Sequence, residues 1–208
     1  MSTQAHRATL QRRPLVKQLL DGADDNLLVI AGLGSSNWDI TAAGDRPLNM
    51  PLWGSMGAPV GMGLGLALAQ PTKRVLVITG DGDMLMSLGS LATVATQMPE
   101  NLAIVVLDNE KFGETGNQAT HTSPRNNGPT DSGAGTDLAM IARGCGIADA
   151  TMVREAGEVA ELVKDVRSKK GPVFRLVKVM VEKLEFVMPP QDGAHLKDRF
   201  RQALLGHP

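Results

Sequence analysis

The sequence predicts an α/β fold, a doubly wound and mostly parallel sheet with helices on both faces. Three observations point there. Short apolar runs bounded by Gly, Pro or polar turns recur along the chain, and they alternate with stretches of helical spacing. Two of the runs, Val75–Thr79 and Leu102–Leu107, are apolar continuously rather than at every second position. A strand of that kind is buried on both faces, which is the condition of a parallel sheet covered by crossover helices. The 208 residues, 42% of them hydrophobic, are enough for one such domain with a proper core and too few for two comfortable ones.

In chain order, Leu10–Leu20 has helical spacing and is followed by the turn Asp21-Gly22 and a strand over Leu27–Ile30. Gly34–Gly57 is polar and rich in Gly and Pro, and is expected to be a loop. Gly57–Gln70 reads as a helix whose Gly and Ala content implies very close packing on a neighbour. Val75–Thr79 is a strand, Met84–Met98 a helix stopped by Pro99, and Leu102–Leu107 a strand. Asn109–Thr136 is long, polar and loaded with Gly, Asn, Thr and Pro, the composition of a functional or mobile loop. Asp137–Arg143 is helical, Ala150–Val153 a strand, Glu155–Ser168 an amphipathic helix and Pro172–Val181 a strand. Ala194–Leu205 forms a last amphipathic helix. The expected organisation is an N-terminal helix over residues 1–24, a ligand-binding domain over 25–185 and a helical tail over 186–208.

Composition excludes several classes of function. A net charge of −1 argues against a nucleic-acid surface, and four Phe, two Trp and no Tyr leave little for stacking on bases. A single cysteine, Cys145, permits no internal disulfide and reads as structural, because no histidine lies near it in sequence. The polar, basic start Met1–Arg13 has no apolar core of a signal peptide, and Gly61–Ala69 is too short to span a bilayer. A soluble, cytoplasmic protein is expected, with no membrane or nucleic-acid partner.

The most informative stretch is Thr79-Gly80-Asp81-Gly82-Asp83, at a strand end that runs into a helix. In open α/β sheets ligands sit at the carboxyl ends of strands, and glycines there let the backbone approach them. A helix start favours anions, yet Asp81 carries the same sign of charge as a phosphate. A divalent cation between the two removes the conflict, and hard Mg²⁺ takes carboxylate, amide and phosphate oxygens. The next strand ends Leu107-Asp108-Asn109 and supplies such oxygens, with 26 residues lying between Gly82 and Asn109. Taken alone, Gly80-Asp81-Gly82 is also an ordinary turn; the strand, helix and Asn109 at that distance make the pattern specific.

A Gly-Asp-Gly followed at this distance by Asp108-Asn109 resembles the cofactor signature of enzymes dependent on thiamine diphosphate. The resemblance implies Mg²⁺ held by Asp81, the Asn109 side chain and the Lys111 carbonyl. It also implies a cofactor diphosphate against Gly80, Gly82 and Asp83, with Phe112, Gly113 and Glu114 beside it. Asp108 stands where the family has the first Asn of a pair. Upstream, Gly54-Ser55-Met56-Gly57 is similar to the family phrase in which a bulky apolar residue wedges beneath the cofactor. Met56 takes that place, the Gly54 carbonyl accepts from the pyrimidine amine, and Ser55 lies between them; the alternative for Met56 is core filling. Gly34-Ser35-Ser36-Asn37 offers a further diphosphate clamp through Ser35 and Ser36, or a solvated loop.

The segment Leu107–Thr122, with its Thr115-Gly116-Asn117-Gln118-Ala119-Thr120 run, resembles the β subunits of sulfopyruvate decarboxylases and the related phosphonopyruvate decarboxylases. The likeness spans about residues 25–180 and leaves Ser123–Gly135 unclear. It implies loss of CO₂ from a small anionic 2-oxo acid, with Thr115, Asn117, Gln118 and Thr120 donating to the anionic tail. His121 is the candidate general acid/base, with a surface histidine as the alternative. The glutamate that activates the cofactor has no place in a chain of this length. The resemblance therefore implies a separate pyrimidine-binding α subunit that supplies it, in an α₂β₂ or larger assembly. The alternatives are half of another thiamine-diphosphate lyase or synthase, half of a 2-oxoacid oxidoreductase, or a non-catalytic cofactor-binding regulatory module.

Overall fold

A computed structural model describes residues 8–124 and 135–207. Its centre is a six-stranded sheet in which every pairing is parallel, in the order β2-β1-β3-β4-β8-β7. The strands are β1 Leu27–Ala31, β2 Asn49–Pro51, β3 Arg74–Gly80, β4 Leu102–Asp108, β7 Ala150–Val153 and β8 Val173–Lys178. A two-stranded antiparallel hairpin, β5 Lys111–Phe112 and β6 Gln118–Ala119, stands apart from it.

Successive residues of each strand feed opposite faces. Leu28, Ile30, Val75, Val77, Ile104, Val106, Phe174 and Leu176 enter one core. That core is covered by α3 (Ala58–Ala69), α5 (Leu88–Gln97), α6 (Leu138–Gly144) and α8 (Gly193–Leu205). Leu27, Val29, Leu76, Ile78, Val105 and Val173 enter the other, beneath α1 (Arg12–Leu20), α2 (Ser35–Ala42) and α7 (Val159–Ser168). Each such fully buried aliphatic contributes about 1.5–3 kcal/mol. Two covered faces are what the continuous apolar runs required.

The glycines of α3 act as the composition implied at one position. A Cβ at Gly63 would lie 2.2 Å from Val77 Cγ2, so the helix sits on β3 with nothing between. Gly61 and Gly65 face open space.

Four expectations need correction. Gly34–Gly57 is not all loop: it holds α2 and the edge strand β2, whose register pairs Val29 with Asn49 and Ala31 with Pro51. The helix expected over Met84–Met98 begins at Asp81 as the single turn α4 (Asp81–Leu85) and breaks at Met86-Ser87 before α5. The last strand stops at Lys178 rather than Val181. Asn109–Thr136 contains the β5–β6 hairpin and a 3₁₀ turn at Gly113–Thr115. Most of Ser123–Gly135 lies outside the described residues. Both chain ends pack on this sheet: Leu15, Val16 and Leu19 of α1 are buried, Leu10 bridges to Val179, and Leu196 and Phe200 of α8 are buried. Among the described residues, no helix is long and apolar enough to cross a membrane.

Candidate functional site

A cleft of about 800 Å³ opens at the carboxyl ends of β3 and β4. The register pairs Gly80 with Leu107, so the two strands end level and Asp81 comes beside Asp108 and Asn109. The sheet topology therefore joins two motifs that are 26 residues apart in sequence. Gly80, Asp81, Gly82 and Asp83 form one wall of the cleft, and Asn109, Lys111, Phe112, Gly113, Glu114, Thr115 and Asn117 another. Ser35 and Met56 also line it. Met56 is 37% exposed, which excludes core filling as its role in this chain.

The loop after β4 is shaped locally. The side chains of Asp108 and Asn109 accept from the backbone N–H groups of Glu110 and Lys111, both at 3.0 Å, in consecutive Asx turns. Glu110 between them takes φ +63°, a left-handed conformation that a non-glycine residue adopts at a cost. Ser55 (φ +58°) and Asn117 (φ +61°) share that conformation around the cleft. Gly82 is required by packing, since a Cβ there would come within 2.5 Å of the Phe112 ring.

Asp81 is 2% exposed and Asp108 1%. The Thr120 hydroxyl donates to Oδ2 of Asp81 at 2.5 Å. The Thr122 hydroxyl lies 3.1 Å from the same oxygen and 2.8 Å from Oδ1 of Asp108. Lys178, the register partner of Asp108 on β8, places Nζ 2.9 Å from Asp108 Oδ2 and 2.5 Å from Glu110 Oε1. Burial, reinforced by the Asp108 charge, pushes the Asp81 carboxyl up to about 6. The Asp83 carboxylate turns under the wall, accepting from the Gly57 N–H and from Thr79 Oγ1. Burial raises its pKa as well.

Asp81, Asn109 and Lys111, which carry a carboxylate, a carboxamide and a backbone carbonyl, thus line one cleft. Such a set suits a hard divalent cation. Among the described residues no three His, Cys, Asp or Glu side chains gather as a metal site, so carboxylates alone do not make one.

Other sequence expectations fall elsewhere. Ser36 is buried behind the wall and does not line the cleft; Gly54 and Ser55 flank the lining residue Met56 without joining it. Thr120 is 4% exposed and spends its hydroxyl on Asp81, so it is not placed to donate to a substrate. Gln118 is outside the cleft, paired with Thr115 through both amide atoms at 2.8 and 2.7 Å. His121 is exposed and is not among the residues that line the cleft.

A third wall of the cleft, without a periodic signal in the sequence, is the strap Val181–Phe186, which has no regular structure. The backbone N–H of Arg12 donates to Glu182 Oε2 at 2.8 Å, and Arg13 Nη2 donates to the Glu185 carbonyl at 2.8 Å. The rings of Trp38 and Phe186 meet with centroids 4.2 Å apart. Arg12, itself on the wall, is ion-paired with Asp39, which is fully buried in α2 and also takes Arg13 at 3.1 Å. The strap has no periodic pattern; its only signal was polar residues directly after an apolar strand.

The family model for the C-terminal thiamine-pyrophosphate-binding domain of thiamine pyrophosphate enzymes matches residues 34–177. The chain belongs to the thiamine pyrophosphate enzymes. The matched span covers the cleft from Ser35 to Asn117 and excludes α1 and the strap. Over 137 residues this thiamine pyrophosphate domain is 37% identical to the sulfopyruvate decarboxylase subunit beta of Methanocaldococcus jannaschii, covering 66% of this chain and 67% of that one. It is 32% identical over 197 residues to the protein of the same name from Methanothermobacter thermautotrophicus, covering 95% and 97%. In fold it is similar to the 2-oxoglutarate:ferredoxin oxidoreductase of Magnetococcus marinus, with a TM-score of 0.66, 19% identity and coverage of 91% and 74%.

Proposed function

We propose that this chain is the diphosphate-binding β subunit of a two-chain, Mg²⁺-dependent 2-oxoacid decarboxylase that takes a small acid with a second anionic group. The observation that carries this reading is the convergence of Asp81 and Asn109, from the ends of adjacent strands, on a cleft that also holds Met56. The likeness to chains named sulfopyruvate decarboxylase subunit beta supports the substrate class and the need for a partner.

Bound thiamine diphosphate supplies the carbanion chemistry that releases CO₂ from a 2-oxo acid. The chain's own residues bind and orient. Asp81, Asn109 and the Lys111 carbonyl would hold Mg²⁺, which would offset part of the diphosphate charge. The Gly80–Asp83 backbone lies against that group. Ser35 reaches it from the start of α2. Met56, exposed in the cleft, would be the apolar residue that supports the cofactor. Asn117 lines the space where the substrate's anionic tail is expected, beside Thr115, whose hydroxyl donates to Gln118 Oε1. A partner α subunit supplies the activating glutamate in an α₂β₂ or larger cytoplasmic assembly.

The test is calorimetric titration of thiamine diphosphate into the chain with Mg²⁺ or EDTA, with and without the candidate partner, followed by CO₂ release from sulfopyruvate, phosphonopyruvate and pyruvate. Metal-dependent binding that tightens with the partner and leads to CO₂ release is expected. No binding in the presence of an associated partner overturns the proposal in favour of a regulatory module. CO₂ release with a condensed hydroxy-oxo acid in place of the free aldehyde turns it towards a synthase, and CO₂ release only when an electron acceptor is supplied turns it towards an oxidoreductase.

A further inference from the structure

We infer that Lys178 is a positioning residue for the cofactor site: through Asp108 and Thr122 it sets the charge balance that lets the site take a cation together with a diphosphate rather than the cation alone. The inference rests on the function proposed above.

Asp108 stands at the end of β4 level with Asp81, and both carboxylates are at most 2% exposed. Two buried carboxylates side by side disfavour each other's ionised form. Where the family signature has a neutral Asn before the ligand Asn109, this chain places a second negative charge. The answer to that charge comes from a third strand. Lys178 on β8 is 7% exposed, lies opposite Asp108 in the sheet register and meets its Oδ2 at 2.9 Å. Its other partner, Glu110, is the more exposed acid, at 30% of its side-chain surface, so water shares in solvating that charge.

The Thr122 hydroxyl makes the connection to Asp81. It has one proton and stands within reach of both Asp108 Oδ1 and Asp81 Oδ2. With Lys178 on the far oxygen of Asp108, the Thr120 and Thr122 hydroxyls remain to hold Oδ2 of Asp81 in place. Removing Lys178 leaves one uncompensated negative charge beside the metal ligands. That charge attracts a bare divalent cation and repels the anionic diphosphate group that has to bind beside it. A residue that merely stabilised the fold would weaken both affinities together.

The experiment measures two affinities on the purified chain, alone and with its partner. One is Mn²⁺ alone, read by the loss of its free-ion EPR signal; the other is thiamine diphosphate at saturating Mg²⁺, read by calorimetry. Lys178→Met is expected to tighten Mn²⁺ and weaken thiamine diphosphate, each by about threefold or more. Asp108→Asn, which removes one negative charge beside Asp81 and leaves Lys178 to Glu110 alone, is expected to move both the opposite way. The double variant Asp108→Asn/Lys178→Met restores the wild-type ratio and keeps the test informative if Lys178→Met alone does not fold. Affinities that move together, or do not move, overturn the inference while the wild type still binds. A wild type that binds neither probe overturns the proposed function itself, and this inference with it.

Discussion

Asp81 is a residue whose placement costs the metal-free fold free energy. Its carboxyl is 2% exposed and pushed up to about 6, against the usual value near 4. A raised pKa means that the folded state binds the proton more tightly than the unfolded chain. Stability from this group is therefore gained as pH falls from about 6 towards 4, and the full penalty, about 3 kcal/mol, applies above that window. In EDTA, Asp81→Asn should melt about 5 °C or more above wild type at pH 8, with the difference closing towards pH 4; a constant difference would remove the assignment. Asp81→Ala and Asn109→Ala are each expected to abolish Mg²⁺-dependent thiamine diphosphate binding while far-UV circular dichroism stays unchanged. Wild-type binding in either variant would remove it from the metal set.

Among the elements, α3 shows how one composition serves two purposes. Gly63 faces β3 with no room for a methyl group, whereas Gly61 and Gly65 face open space. Gly63→Ala should destabilise the isolated chain by about 1–2 kcal/mol, because overpacking outweighs the gain in helix propensity. Gly61→Ala and Gly65→Ala should each stabilise it by about 0.5–1 kcal/mol. Urea denaturation compares the three, and a uniform sign would contradict this placement of the helix. The strap Val181–Phe186 is an element of another kind, held by Arg12, Arg13 and Trp38 rather than by a ladder of its own.

The whole molecule closes the cleft with segments from both ends of the chain. Arg12 and Arg13 bind Asp39 of α2 and the strap, and Leu10 joins the sheet edge beside Val179. Burial pushes the Asp39 carboxyl up, while the two guanidiniums pull it back. Arg12→Met leaves that carboxylate with only the partly exposed Arg13 and should cost about 3 kcal/mol in urea denaturation. Asp39→Asn in the same background should recover part of the loss. If Arg12→Met unfolds like wild type, the ends of the chain do not brace the cleft in this way.

What was legible in the sequence was local. The continuous apolar runs made β3 and β4 readable because a strand buried on both faces needs no partner to betray it. The spacing from Gly80-Asp81-Gly82 to Asn109 carried the site because one helix and one strand must fit between two level strand ends. α2 was not legible: Ser35-Ser36-Asn37 has the composition of a loop, and the helix exists because Ile40 is buried in the core and Asp39 meets two arginines from α1. Residue type alone singles out Thr120 and His121, and only the fold turns one hydroxyl onto Asp81 and leaves the imidazole in solvent. The same holds for Lys178. The sequence by itself determined the fold class and the pair of motifs at the strand ends, since both follow from spacing along the chain. Only the tertiary structure decided which charges meet, because Asp108 and Lys178 lie 70 residues apart in sequence and become neighbours through the register of β4 on β8.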